Sequence, residues 1–273
     1  MNCRVEGIMT EEQFLSVQNA LQQFTYTSLN YTDYEEVIDY EIIENDESSI
    51  IIYGYNTEDG KYEFHWACNK VEDLARRLQK RNENEVIKFI PKEWVEDLKE
   101  EAFEVHAYWQ EYVARNLEIA ANYVEPIYVD HSNYMKASDV TFSCLGQSRG
   151  FAGQTKEWMK QWIDGSSPAV PDYVSDSAVI AEITDELVGI ICVGIYGNDE
   201  DKTLWVREVA VKPEYQGRGI ARKLIGQAFA YGIARNVKKA FLMADECNEN
   251  AIHLYKSMGF VRKLDEGQID MIR

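Results

Sequence analysis

Two short stretches of the chain carry residue types that could hold an anion. YQGRGIAR runs from Tyr215 to Arg222, and GQSRGFAG from Gly146 to Gly153. Each has a Gln, a Gly three positions on and an Ala two after that: Gln216, Gly219 and Ala221 in one, Gln147, Gly150 and Ala152 in the other. A glycine turn opening a helix points several backbone N–H groups at one spot. The helix dipole then favours negative charge there. The spacing fixes too few positions to choose between the two stretches, so their surroundings must decide. Gln216 follows a strand pattern and a Pro-Glu-Tyr turn, and opens a periodic helix. Gly217 and Gly219 would let a phosphate approach the backbone with no Cβ in the way. Gln147 has no long strand before it, so GQSRGFAG reads as a surface turn before a helix, part of a substrate wall.

Other anion motifs are missing. There is no GxxxxGK[ST], and GRGIAR has Arg222 where a GxGxxG loop needs its third glycine. Asp245 closes the next strand as a ribose-binding acid would, which keeps a nucleotide-binding oxidoreductase as an alternative. The hairpin ahead of the loop argues against it, because a parallel doubly wound sheet has no place for one.

The elements that must position the loop are legible in the C-terminal half. Residues 177–197 form two apolar runs around Thr184, Asp185 and Glu186, which predicts a hairpin. A third strand spans 201–213 and ends at Pro213. Apolar positions at Ile220, Leu224, Ile225, Ala228 and Phe229 give a helical face within 218–235. Residues 238–245 read as a short apolar strand. Residues 248–260 read as a helix opened by Asn248 and stopped by Gly259, and the final EGQIDMIR alternates like a strand. The order predicts an α/β fold with a mixed, mostly antiparallel sheet flanked by helices. Helices at 71–81 and 93–103, a strand at 85–91 and an alternating run from Phe103 repeat part of that order. Placing Phe103 on Phe260 aligns strand, helix and strand, which suggests a tandem duplication with a connection at 125–133. The expected domains are 1–130 and 131–273.

Composition excludes several classes. The formal charge is −19. Residues 1–135 hold 28 acidic and 11 basic side chains, against 19 and 17 in the remainder. A nucleic-acid backbone needs a basic face, so that partner is not expected. The acidity reads first as a solvated surface and second as steering for a cationic substrate. No apolar run reaches the ~18 residues of a membrane span, and the N-terminus lacks a signal-peptide core. Five scattered cysteines without CxxC spacing read as reduced thiols of a cytoplasmic protein, with Cys192 and Cys247 as buried small hydrophobes. Four dispersed histidines give no metal site.

VAVKPEYQGRGIARKLI (209–225) followed by NENAIHLYKSMGF (248–260) resembles the GNAT superfamily of acetyl-CoA-dependent N-acetyltransferases, over roughly residues 177–273. The resemblance implies acetyl-CoA as cosubstrate and direct transfer to an amine of a small molecule or peptide, without a metal. It places Val209, Ala210 and Val211 where strand backbone holds the pantetheine arm and polarises the thioester. Gln216, Gly217, Arg218, Gly219, Ile220, Ala221 and Arg222 fall at the pyrophosphate loop, Asn248 at a cofactor contact, and Tyr255 at the general acid for the departing thiolate.

An amine of pKa ~10.4 is neutral in about one part in 10³ at pH 7, so a base is useful. Glu208, on the strand entering the loop, is the best-placed carboxylate, and its other reading is a salt-bridged strand residue beside Arg207. The early helices wall the acceptor site in this fold, which points to Arg149, Phe151 and Trp158. The N-terminal half has no such loop before Gln147 and has Leu98 at the Tyr255 position, so it is expected to be a degenerate GNAT-like domain. A non-catalytic CoA-binding or protein-interaction module is the alternative. The oligomeric state and the identity of the acceptor are not readable from the sequence.

Overall fold

The computed structural model describes residues 9–57, 60–118, 124–263 and 267–273. It divides into two compact units, Met1–Tyr108 with Glu266–Arg273, and Trp109–Asp265. The division falls within the strand Glu104–Ala114.

The first unit opens with helix Glu11–Ala20, whose start is fixed by a capping box between Thr10 and Gln13. Strands Glu41–Asn45, Ser49–Asn56 and Lys61–Cys68 form an antiparallel meander. None of these was foreseen in the sequence. Helix Val71–Ala75 then carries the chain to Glu85–Ile87, which pairs in parallel with Tyr62–Phe64. On its other side Glu85–Ile87 pairs with the final strand, Gln268–Ile272, with Met271 opposite Ile87. The expected terminal strand therefore exists, but it completes the first unit.

Three expected elements are shorter than their sequence patterns. The 71–81 helix stops at Ala75, because the Glu85 carboxylate captures the Arg81 and Asn82 amides at 2.9 Å each. The 85–91 strand stops at Ile87, since Phe89 takes φ +61° ahead of Pro91. The 93–103 helix is a 3₁₀ turn, Lys92–Trp94, leading into Val95–Glu100 and closed by Ala102 at φ +64°.

The second unit holds the predicted hairpin, Val174–Ile183 and Leu187–Tyr196. The connection at 125–133 is not wholly irregular, because Ile127 and Tyr128 pair with Ala181 and Ile180. Strand Thr203–Val211 lies antiparallel to Leu187–Tyr196, and Lys239–Asp245 lies antiparallel to residues 109–114. Thr203–Trp205 and Lys239–Phe241 form the unit's one parallel pair among the described residues.

Alternation along the strands sends side chains into two cores. Ile191, Val193 and Ile195 pack with Leu224, Ile225, Ala228 and Phe229 of helix Ile220–Ile233, and with Tyr255 of helix Glu249–Ser257. Ile190 and Cys192 face the other way, towards Ala137 and Val140 of helix Tyr134–Phe142 and Trp158, Met159 and Trp162 of helix Lys156–Asp164. The result is a mostly antiparallel mixed sheet with helices on both faces.

Candidate active site

The parallel pairing between Thr203–Val211 and Lys239–Asp245 covers only the first three residues of each strand. From Val206 onward the first strand is paired only with Leu187–Tyr196, so a cleft opens between its end and Leu242–Asp245. A strand edge left unpaired inside a fold offers N–H and C=O groups to a ligand.

A β-bulge interrupts the same strand between Val206 and Glu208. Leu204, Val206, Val209 and Val211 belong to the core of helices Ile220–Ile233 and Glu249–Ser257, while Trp205 and Ala210 belong to the opposite core. The bulge thus sets both Arg207 and Glu208 on the Trp205 face, which strict alternation would forbid. Their side chains meet at 2.5 Å, Arg207 Nη1 donating to Glu208 Oε1. Gln154 Nε2 donates to the same oxygen at 2.8 Å. Glu208 is only 7% exposed. Burial pushes its carboxyl above the usual range, against the Arg207 charge and the Gln154 hydrogen bond, which pull it down.

Tyr255 sits in helix Glu249–Ser257, buried edge-on against Phe260. Its hydroxyl has no hydrogen-bond partner among the described residues. Burial first, and the Glu208 charge second, raise its pKa above the ordinary tyrosine value. Asn248 caps this helix, its side chain accepting from the Ala251 amide at 3.2 Å.

The two glycine stretches touch each other. Gln216 Nε2 donates to Gln147 Oε1 at 2.9 Å and to the Val211 carbonyl at 2.8 Å. Gly217 and Gly219 stand at φ +71° and +78°, and a Cβ built on either meets nothing within 4 Å. Gly219 begins helix Ile220–Ile233 with no side-chain cap and no acidic residue in the first turn. Its amides are therefore open to an anion, which fits the pyrophosphate the resemblance implies. Arg218, Arg222 and Lys223 line a groove of about 1170 Å³ beside this helix, with Arg115 and Ser257. Arg222 Nη2 donates to Ser257 Oγ at 2.7 Å. Because the space around Gly219 is empty, Gly219→Ala is expected to cost only the left-handed backbone penalty, about 1–2 kcal/mol, and to leave the protein folded. Its effect should fall on acetyl-CoA affinity, read by calorimetric titration.

The earlier loop, between helices Tyr134–Phe142 and Lys156–Asp164, is a surface turn that ties the site together. Gln147 reaches the Gly217 loop, Gln154 reaches Glu208, and Arg149 binds Asp245 through Nε (3.1 Å), Nη2 (2.8 Å) and its amide (3.1 Å). Asp245 is thus occupied by an arginine. Phe151 is half-buried against the core, and Trp158 is buried and stacked on Trp162 at 4.9 Å. Cys192 is buried as expected, but Cys247 is exposed, with its thiol 3.0 Å from Asp245 Oδ2. It lies in the turn after the strand, past the last buried position. Sequence reading missed Gln154 altogether, since a loop glutamine 54 positions from its partner leaves no pattern. Among the described residues no group of three His, Cys, Asp or Glu side chains is placed to hold a metal, and no helix is long and apolar enough to cross a membrane.

Comparison with known proteins agrees with this geometry. The family model "Acetyltransferase (GNAT) family" matches residues 151–260. That segment is a GNAT acetyltransferase domain. Spermidine N(1)-acetyltransferase of Escherichia coli K12 is 41% identical over 54 residues, which is 19% of this chain and 29% of that protein. The chain therefore spans under a third of the length of this curated relative. A functionally unknown conserved protein from Staphylococcus epidermidis has a similar fold, with TM-score 0.52 and 16% identity over 90% of this chain and 98% of its own. A GNAT-family acetyltransferase from Colwellia psychrerythraea gives TM-score 0.51 and 10% identity over 97% of each chain. GNAT acetyltransferases use acetyl-CoA or another acyl-CoA.

Proposed function

We propose that this chain is an N-acetyltransferase that moves the acetyl group of acetyl-CoA directly to an amine of a small molecule or peptide. The observation that carries the reading is the bulge that sets Glu208 on the Trp205 face of the strand, within electrostatic reach of Tyr255. In this scheme acetyl-CoA lies in the cleft with its pyrophosphate on the amides of Gly217 to Arg222 and its thioester along Val209–Val211. Backbone N–H groups at the strand edge stabilise the oxyanion as the amine attacks the carbonyl carbon. Glu208 takes the proton from the ammonium nitrogen, and its raised pKa brings it closer to a working base at neutral pH. The C–S bond then breaks, and the Tyr255 hydroxyl, donating to the departing sulfur, stabilises the negative charge that develops on it. A relative's name gives spermidine as its acceptor, which is in keeping with a small amine here.

The first unit fits a degenerate copy of the same fold. Its parallel pair, Tyr62–Phe64 with Glu85–Ile87, also flanks a helix and also pairs over three residues. There the following space is filled, since Trp66 Nε1 donates to the Lys88 carbonyl at 2.9 Å and the indole packs on Trp94. Leu98 is fully buried at the position aligned with Tyr255. This unit should not turn over acetyl-CoA, and the cytoplasm is the compartment that suits the free thiols of the chain.

The test is CoA-thiol release from acetyl-CoA across a panel of amines, amino acids and peptides, with Glu208→Gln beside the wild type. Because a raised carboxylate pKa must be passed before the base is free, kcat/KM should rise with pH along a limb above the ordinary glutamate value. Glu208→Gln should lose that limb and about 10²-fold in rate. Acetyl-CoA binding without turnover of any amine would instead favour a binding module.

A further inference from the structure

The acceptor's own chemistry is written beside Glu208. Arg207 shares the bulge with it and is held between two indoles, 5.7 Å from the Trp158 ring centre and 5.5 Å from that of Trp205. One N–H, on Nη1, is given to Glu208. Its remaining N–H donors have no hydrogen-bond partner among the described residues, and its side chain is 35% exposed. This is a guanidinium pre-oriented by aromatic faces with an edge left open, beside the carboxylate that receives the amine's proton. A planar fork of that kind suits a second carboxylate and repels a cation.

From the bulge geometry we infer that the acceptor is an amine bearing its own carboxylate a few bonds away, an amino acid or a short peptide ending in one, and that Arg207 binds that group. The inference rests on the transferase reading and narrows it. A polyamine would set a second positive charge against the open edge of Arg207, and the carboxylate paired with that arginine, Glu208, is already shared with Gln154. Arg149 cannot substitute for Arg207, because Asp245 holds its guanidinium through two nitrogens. The overall acidity of the chain does not argue otherwise, since it lies mainly before residue 136.

The experiment compares matched acceptors that differ only at the carboxylate: an amino acid, its amide and the corresponding decarboxylated amine, with spermidine as the polyamine arm. The wild type should favour the carboxylate form by about 10- to 100-fold in kcat/KM, mostly through KM. Arg207→Lys keeps the charge beside Glu208 but loses the fork, so it should erase most of that preference, read as the ratio of kcat/KM on the carboxylate and amide forms within the variant. Arg207→Gln should erase it too and move the acid limb to higher pH, because the cation that lowers the Glu208 pKa is gone. Carboxylate binding is read independently by quenching of the indoles flanking Arg207, with circular dichroism confirming that each variant is folded. Equal or better turnover of spermidine or the amide, unaltered in Arg207→Lys, overturns the inference and leaves the transferase standing. Turnover of no amine at all overturns both.

Discussion

Replacing Tyr255 by Phe should lower kcat by about 10²-fold while leaving the affinity for acetyl-CoA and the melting temperature nearly unchanged. The hydroxyl has no partner among the described residues, so its removal strands no buried donor or acceptor. The ring stays packed on Phe260. The loss should therefore appear in the chemical step and not in folding. Its size follows from the proton balance. A thiolate whose acid has pKa ~8.5 is a weaker base than tyrosinate, and burial with the Glu208 charge raises Tyr255 further. Full transfer from Tyr255 to sulfur is uphill, so the donor stabilises developing charge. The effect then belongs at the low end of the 10²–10⁴-fold range for general acids. Single-turnover rates with saturating acetyl-CoA would show it. An unchanged rate would reduce Tyr255 to a core aromatic.

The largest effect on stability is expected in the first unit. Glu85 is fully buried and receives Arg273 Nε at 2.9 Å, the Tyr53 hydroxyl at 2.7 Å and the amides of Arg81 and Asn82. Burial pushes its carboxyl up, but those donors, Tyr53 foremost, outweigh it and hold the pKa below the ordinary value. The Arg273 guanidinium also lies over Phe103, 4.3 Å from the ring centre, and donates to the Leu78 carbonyl at 2.8 Å. Arg273→Ala leaves a buried carboxylate without its cation, which costs about 3–5 kcal/mol in comparable pairs. Three donors stay, so the lower end is expected, a fall of roughly 6–12 °C in melting temperature. A depressed carboxylate pKa contributes stability above its unfolded value, and that contribution is lost as pH falls through the folded one. The difference between variant and wild type should therefore be greatest near neutrality and shrink in acid. Glu85→Gln combined with Arg273→Met should recover part of it. A melting temperature within 2 °C of wild type would show that the pair contributes little.

The sequence made the second unit legible because its elements are long and periodic and its punctuation is strong. Thr184–Glu186, Pro213, Gly219 and Gly259 all mark ends that the structure keeps. The first unit was harder to read for the opposite reason. Its helices run four to six residues apart from Glu11–Ala20, too short for a 3.6-residue period to register. The end of Val71–Ala75 is followed by amides held by a distant group, the Glu85 carboxylate. At the site, the loop and Tyr255 were visible as spacing. The contacts of Gln154 with Glu208 and of Arg149 with Asp245 were not, because partners 54 and 96 positions apart meet only through the fold. The bulge at Arg207 does leave a trace, the adjacent charges Arg207 and Glu208 between Val206 and Val209, but it was not read from the sequence.

The pairing of Gln268–Ile272 with Glu85–Ile87 sets an order of events during synthesis. The first unit leaves the ribosome early, yet one of its strands is translated only after all of the second unit. At 5–20 residues per second, the edge of Glu85–Ile87 waits for roughly ten seconds or more beside a growing chain. Over that interval an unpaired strand edge is an invitation to other chains, and a nascent-chain binder would be well employed there. The same order governs how the protein can be cut. A fragment ending before Gln268 lacks a strand, and a fragment that starts at Trp109 carries an orphan one, so a separable first unit must be rebuilt by joining 267–273 to 108 through a short linker.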